Sequence, residues 1–282
     1  MRHPLHRSFR LPATFVALRE FVLDGFDPED GLDVWEYVFE KCGSLFCGEI
    51  DTILLDPKEL CYDSQPMEIV PFGWNGGDGL HYGWAVLAPE LDSDDYQCVS
   101  FASIDDHAVW LGDHTKEALE NLLVGGVAGW AEWGRRQGLP SPVDDPRWMT
   151  LCRSLDLRPG IGSAQITPGA RSNRMIHPTI PPGWRYEPAA DGIGVLAEAT
   201  AFAPASTTAD PEWGGDEHLA HARRLLAAGY PASALGVLKA TYPEREVMRT
   251  MREAYQALGR TLHVERADIW LRNHPSDSPG GR

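Results

Sequence analysis

The residues with the clearest chemical potential lie in one short glycine-rich stretch, Asn75-Gly76-Gly77-Asp78-Gly79-Leu80-His81. Asp78 and His81 are close enough in sequence to act as an acid–base pair or to share a metal ion. The glycines would let a substrate approach the backbone closely. One hypothesis from this pattern is a hydrolase centred on Asp78 and His81.

The same stretch is also typical of a tight connection between two strands. Apolar runs lie on both sides of it, and its glycines reach positive φ without strain. A phosphate-binding loop fits poorly, because no Lys or Arg lies nearby and no helical pattern follows the glycines. We therefore predict a turn between strands rather than a catalytic loop.

Two further histidines extend the question of metal binding. His107 and His114, together with His81 and either Asp78 or Asp113, would form a cluster if their loops converged, which spacing alone does not establish. The five cysteines are odd in number and irregularly spaced, which argues against a disulfide framework. The sequence contains no nucleophile elbow, HExxH helix or Walker-type loop. We therefore expect no metal, no cofactor and no enzymatic activity.

The elements that would position these residues follow from the spacing of apolar side chains. Two helices are predicted near the N-terminus, at residues 13–23 and about 32–42, the second capped by Asp30 or Asp33. A closing helix capped by Asp113 is predicted after residue 113. Between them, extended runs begin at Thr52, Glu68, Tyr82, Val99 and Ala108. Grouped strands predict an α+β fold, with an antiparallel sheet of about five strands and flanking helices.

Negative charge is concentrated in one part of the chain. The net charge is −16, yet Glu20 to Gly125 contains 24 acidic residues and only three lysines, a local net charge of −21. Such a field repels nucleic acid and attracts basic proteins, although solubility alone also explains an acidic surface. We therefore expect no nucleic-acid binding here and a basic protein as the candidate partner. The loop residues expected to face that partner are Asp92, Asp94, Asp95, Asp105 and Asp106.

Composition divides the chain into three parts, residues 13–138, 139–215 and 216–273. Eleven of the 22 prolines lie between Pro140 and Pro211, so the middle part is predicted to be a partly packed connector with few regular elements. The last part shows helical hairpins with glycines at 229 and 259, and it is similar to tetratricopeptide-type repeats. It either binds a partner or caps the sheet domain. The sequence leaves this choice and the oligomeric state open.

Hydropathy bears on the cellular setting. No run approaches the roughly 18 apolar residues that a transmembrane helix needs. Residues 1–11 are basic, but no apolar segment of the kind found in signal peptides follows them. We therefore expect a soluble cytoplasmic protein with no membrane association.

Four features of the central stretch occur together. They are the Ile69–Gly73 strand, the Asn75–Gly79 turn, the aromatic strand after it and the leucine-rich closing helix. With them, Glu20 to Gly126 resembles the SMI1/KNR4 (SUKH) superfamily, although this stretch does not contain the Leu-Pro-x-x-Tyr-like helix entry usual in that family. The resemblance implies an α+β domain that binds proteins without catalysis. Many bacterial members are immunity proteins that neutralise toxins, often nucleases.

This resemblance and the charge together predict an immunity or antitoxin protein whose acidic face covers a basic, nuclease-like toxin. A nuclease presents a basic surface to its nucleic acid, and an acidic inhibitor can cover that surface. The alternative is a regulatory scaffold that uses the helical repeats together with the sheet domain.

Overall fold

The computed structural model describes residues 9–27, 29, 31, 33–46, 50, 52–53, 65–75, 79–102, 108–138, 141–159, 176–204 and 215–275. The helices are α1 (Ala13–Leu23), α2 (Val34–Phe46), α3 (Thr115–Trp133), α4 (Pro146–Ser154), α5 (Gly215–Ala227), α6 (Pro231–Leu238), α7 (Arg245–Ala257) and α8 (Thr261–Asn273). The strands are β1 (Thr52–Ile53), β2 (Ile69–Asn75), β3 (Leu80–Ala85), β4 (Cys98–Ala102), β5 (Ala108–Gly112), β6 (Trp184–Glu187) and β7 (Val195–Glu198). The predicted α+β fold class is confirmed.

Strands β1 to β5 form an antiparallel meander in sequence order, which is the sheet that the grouped apolar runs predict. Side chains on adjacent strand positions point to opposite faces. Tyr82 and Trp84 enter a core with α1 to α4, whereas Ala85 and Leu87 pack on the other face with residues of the β6–β7 hairpin. Both faces of the sheet are therefore covered.

The start of α3 differs from the prediction that Asp113 caps this helix. His114 takes that role, because its Nδ1 accepts the backbone N–H of Glu117 at 3.1 Å. The Glu117 carboxylate reaches back and accepts the N–H of Asp113 at 2.8 Å. The arrangement resembles a capping box, with histidine in place of the usual hydroxyl residue and with the carboxylate on the N–H one position before the cap. The prediction of Asp113 as cap is therefore wrong by one position.

The proline-rich middle part contains more regular structure than its composition predicts. Helix α4 begins with Pro146 and is capped by Asp145, whose carboxylate accepts the N–H of Arg147 at 2.8 Å. Later in this part β6 and β7 form a hairpin whose turn packs on the main sheet, where Ala108 donates its N–H to the carbonyl of Asp191 at 2.8 Å. Prolines here start a helix and flank a hairpin, and they do not prevent either.

Helices α5 to α8 form two successive hairpins with similar turns. Gly229 and Gly259 have φ of +86° and +75°, the left-handed conformation that ends many helices. The next residue in each turn, Tyr230 or Arg260, donates its N–H to a carbonyl five positions back, at 2.9 Å in both turns. The inner face of this helical module packs on Met67, next to β2, and on side chains of β7.

A buried charge cluster joins the helical module to the sheet domain. Lys239, at the end of α6, lies between Glu68 and Asp191, with Nζ at 2.8 Å and 2.7 Å from the two carboxylates. Tyr255 of α7 donates its hydroxyl to the second oxygen of Glu68 at 2.8 Å. The Lys239 and Glu68 side chains are each 1% exposed. This cluster draws on the sheet domain, the β6–β7 hairpin and two helices of the module.

Polar side chains of α8 and the turn before it reach backbone carbonyls of the sheet domain. Arg266 donates to the carbonyls of Met67 and Ile69, at 2.9 Å and 2.6 Å. The Nε2 of His263 contacts the carbonyl of Val86 at 2.9 Å. Arg260 pairs with Glu90 at 3.1 Å. In this structure the helical module therefore caps the sheet domain, one of the two arrangements that the sequence left open.

Candidate protein-binding surface

The glycine-rich stretch connects β2 to β3. Asn75 pairs with Leu80 across the two strands, and Gly79 has a φ of +65°. Gly76, Gly77 and Asp78 lie outside the described residues. A strand connection is what the glycine pattern predicts.

His81 is the second residue of β3, and its imidazole ring lies against the connection between β2 and β3. Its Nδ1 lies 3.1 Å from the Gly79 carbonyl, which makes Nδ1 the protonated nitrogen. Burial lowers the pKa of His81 below its usual value, and the contact with Gly79 opposes this only in part. His81 is therefore neutral at pH 7. An acid–base role with Asp78 stays a prediction, since Asp78 is not among the described residues.

The histidine cluster suggested by the sequence is not assembled in the described part of the chain. His114 is used as the helix cap of α3, and His107 lies outside the described residues. Within the ranges that the structure covers, no group of three or more His, Cys, Asp or Glu side chains has the geometry to hold a metal ion.

The acidic loop between β3 and β4 was predicted to face the partner. Asp92 and Asp94 are 78% and 82% exposed, but both pair with Arg10, Asp92 at 3.2 Å. Exposed pairs of this kind contribute little stability, yet they lower the local negative charge. Asp105 and Asp106 lie outside the described residues.

Asp95 has a structural role beside the helix start. Its carboxylate accepts the backbone N–H of Thr115 at 3.1 Å and also the Thr115 hydroxyl. The same hydroxyl accepts the indole N–H of the buried Trp84 at 2.9 Å. A carboxylate at a helix N-terminus is also favoured by the helix dipole. The Asp95 charge therefore stabilises the fold and is less available to a partner.

A second acidic region, on α1, α2 and the turn between them, is less neutralised. We call it the acidic helix surface, and it consists of Glu20, Asp24, Asp27, Glu29, Asp33, Glu36 and Glu40. All seven are exposed, and none forms an ion pair with another described residue. The Asp33 carboxylate caps α2 by accepting the N–H of Trp35 at 2.7 Å. This surface therefore carries seven exposed carboxylates without an ion-pair partner among the described residues, next to Lys41 and Arg147, which line an adjacent groove.

A groove of about 510 Å³ runs along one flank of α2, between α1 and α4. Phe21 and Leu45 supply apolar wall, and Glu40 of the acidic helix surface lies at its rim. Lys41 also lines the groove, and its ammonium bonds the Tyr37 hydroxyl at 3.0 Å. A concave, partly apolar surface therefore lies directly beside the acidic helix surface.

Sequence reasoning placed the acidic interface on loops and missed the helices. The available signal was the run from Glu20 to Glu40, which holds eight acidic residues and no base.

Within the described ranges, no helix has the length and apolar content that crossing a bilayer requires. No protein-family model matches the chain, and no curated protein matches its sequence.

Proposed function

We propose that this protein is a non-catalytic, cytoplasmic protein-binding module that captures a basic protein through the acidic helix surface. The observation that carries the proposal is the group of seven exposed carboxylates on α1, α2 and their connecting turn, none of which forms an ion pair with another described residue. Uncompensated charge of one sign attracts a partner of the other sign and raises the association rate.

The most specific form of the proposal is an immunity or antitoxin protein. A nuclease toxin needs a cationic surface to bind phosphates, and the same surface is complementary to clustered carboxylates. The resemblance of the central stretch to the SUKH superfamily supports this form, since many bacterial members neutralise such toxins. The meander and the helices packed on it are compatible with that resemblance.

The test is capture followed by reconstitution. The full-length protein is immobilised and exposed to lysate of its native source at about 50 mM salt, and the retained proteins are identified. The main basic candidate is then purified, and its dissociation constant is measured at about 50, 150 and 500 mM salt. We expect affinity to fall steeply with salt, because screening shortens the reach of exposed charges to about 8 Å at physiological ionic strength.

Two charge-neutralised variants locate the interface. One carries Asp27→Asn, Glu36→Gln and Glu40→Gln on the acidic helix surface, and the other carries Asp92→Asn and Asp94→Asn on the loop. We expect the first variant to slow association about tenfold or more at low salt and the second to change it less. The proposed function would be contradicted if no basic protein were captured. It would also be contradicted if the dissociation constant did not change with salt and both variants bound the partner like the wild type.

A further inference from the structure

The outer side of α2 carries two aromatic side chains that the core does not use. Trp35 is 40% exposed and Phe39 is 51% exposed. They are four residues apart, so they lie one above the other on the same side of the helix. The other large apolar side chains exposed in the described residues belong to different elements. Two aromatic side chains side by side on one helix form an apolar stripe that no other residue in the described part of the chain covers.

The residues next to this stripe define what can cover it. Glu36 and Glu40 are also one helical turn apart, and they form an exposed acidic row directly beside the aromatic side chains. Neither carboxylate pairs with another residue in the described part of the chain. An aromatic centre with a charged rim is the usual arrangement of a protein-binding hot spot.

The inner flank of α2 holds the helix in place. The Tyr37 hydroxyl donates to the carbonyl of Asp24 at the end of α1, at 2.6 Å, and the Lys41 ammonium bonds the same carbonyl. Val38 and Cys42 are fully buried in the core below. The aromatic stripe therefore projects from a rigid element, which reduces the entropy lost on binding.

Self-association through the same face is disfavoured by charge. In a symmetric dimer each copy presents the same patch, so one interface would contain the Glu36 and Glu40 rows of both copies and no cation from this stripe to offset them. Like charges placed opposite each other weaken an interface. A cationic amphipathic segment satisfies both features, because its apolar side covers the aromatic side chains while its cations meet the acidic row.

We propose that α2 is the recognition helix of this protein and that Trp35 and Phe39 anchor a basic amphipathic segment of the partner, whose cations pair with Glu36 and Glu40. This inference rests on the proposed function, because it names the element through which a basic partner is held. The contact with Trp35 and Phe39 adds an apolar contribution to the binding free energy, which charge alone does not provide. Binding is therefore selective for partners that combine cations with apolar side chains.

A synthetic probe tests this inference without the natural partner. The probe is an amphipathic helix of about 15 residues made of lysine and leucine, and a second peptide of equal charge replaces every leucine with serine. Binding of both to the full-length protein is measured by calorimetry at about 150 mM salt. We expect the leucine peptide to bind at least about tenfold more tightly than the serine peptide.

The decisive variant is Trp35→Ser with Phe39→Ser, and Tyr242→Ser is the matched control because Tyr242 is 67% exposed and lies outside α2. The double variant should bind the leucine peptide about tenfold or more weakly, and the control should bind it like the wild type. Circular dichroism and thermal unfolding establish that both variants remain folded. Equal binding of the leucine peptide by the double variant and the wild type would overturn the inference.

Two other outcomes separate this inference from competing explanations. If sedimentation shows a wild-type dimer that the double variant converts to a monomer, the stripe is a contact between copies and the inference is wrong. If the natural basic partner binds the double variant as tightly as the wild type, the inference fails while the proposed function stands. If no basic protein is captured but the probe still depends on the aromatic stripe, the proposed function fails and the recognition helix remains.

Discussion

Replacing Lys239 with methionine should strongly destabilise the whole protein, because Lys239 is the cation that separates two buried carboxylates. Its ammonium lies 2.8 Å from Glu68 and 2.7 Å from Asp191. The Glu68 side chain is 1% exposed and that of Asp191 is 12% exposed. Without Lys239, two negative charges would face each other with little access to water.

The size of the effect follows from burial. Removing one partner of a buried ion pair costs about 3–5 kcal/mol, because the remaining charge has lost its solvation and its counter-ion. That is a large share of the 5–15 kcal/mol of a typical domain. The pair between Arg223 and Glu246 gives the contrast, since its side chains are 51% and 45% exposed. An exposed pair is worth about 0–1 kcal/mol, so Arg223→Met should have little effect.

Urea unfolding at neutral pH, followed by circular dichroism and tryptophan fluorescence, measures both variants. The Lys239→Met variant should lose about 3 kcal/mol or more, and the Arg223→Met control should lose less than about 1 kcal/mol. Adding Glu68→Gln and Asp191→Asn to Lys239→Met should recover part of the loss, because no buried charge then remains. Equal small losses for the two single variants would refute the view that this cluster joins the modules.

The pH dependence gives an independent check on the same cluster. Burial alone would lower the pKa of Lys239, but Asp191 and Glu68 outweigh it and raise the pKa above its ordinary value. A cation whose pKa is raised by folding contributes its full stability below the unfolded pKa, which is about 10.4 for lysine. The difference between wild type and Lys239→Met should therefore stay constant from about pH 6 to 9 and shrink only above about pH 10.

Three further substitutions test other parts of the fold by the same unfolding measurements. Burial and neighbouring cations lower the pKa of His263 well below its usual value. The free energy of unfolding of the wild type should therefore fall by up to about 1.4 kcal/mol per pH unit below about pH 6.5, relative to that of His263→Gln. Equal pH dependence of unfolding in the two proteins would contradict this. Gly192→Ala should cost about 2 kcal/mol or more, because φ is +77° and a Cβ would lie 2.4 Å from the Ala108 carbonyl. The control Gly183→Ala meets no atom within 4 Å and should cost less. Thr115→Val should cost about 1–3 kcal/mol by removing the hydroxyl between a buried indole and a carboxylate, whereas Thr115→Ser should be nearly neutral.

Much of the sheet domain was predictable because its signals are local. The alternation of Tyr82, Trp84 and Val86 indicates the β3 strand, and these three side chains enter one core, but a period of two is typical of a half-buried strand and did not predict that the other face is covered as well. The helix at residues 13–23 was predicted with the bounds that the structure shows. The cap of α3 was misplaced because Asp is a commoner cap than His, and only the bond from the Glu117 N–H to His114 reveals the choice.

The contact between modules was not predictable in the same way. Periodicity indicated the apolar side of α8 but gave no reason to bury His263 and Arg266 on it. Their partners are carbonyls close to β2 and β3, and nothing in the spacing of a single helix identifies carbonyls 177 and 199 positions away in the chain. The resulting polar contacts were therefore visible only once the two modules were placed against each other.

These polar contacts also bear on why the acidic helix surface has no ion pairs with bases of the helical module among the described residues. The part of the chain outside Glu20 to Gly125 has a net charge of +5, enough to neutralise a fraction of the acidic part. However, Lys239 and Arg260 direct their charges inwards, towards Glu68 and Glu90. Since these two cations compensate acids at the contact between the modules, neither of them is available to α1 or α2, where Lys41 and Arg147 are the bases that line the groove beside Asp24 and Glu40. The exposed carboxylates of α1, α2 and their connecting turn therefore have no ion pair among the described residues, and this is the charge that the proposed basic partner would complement.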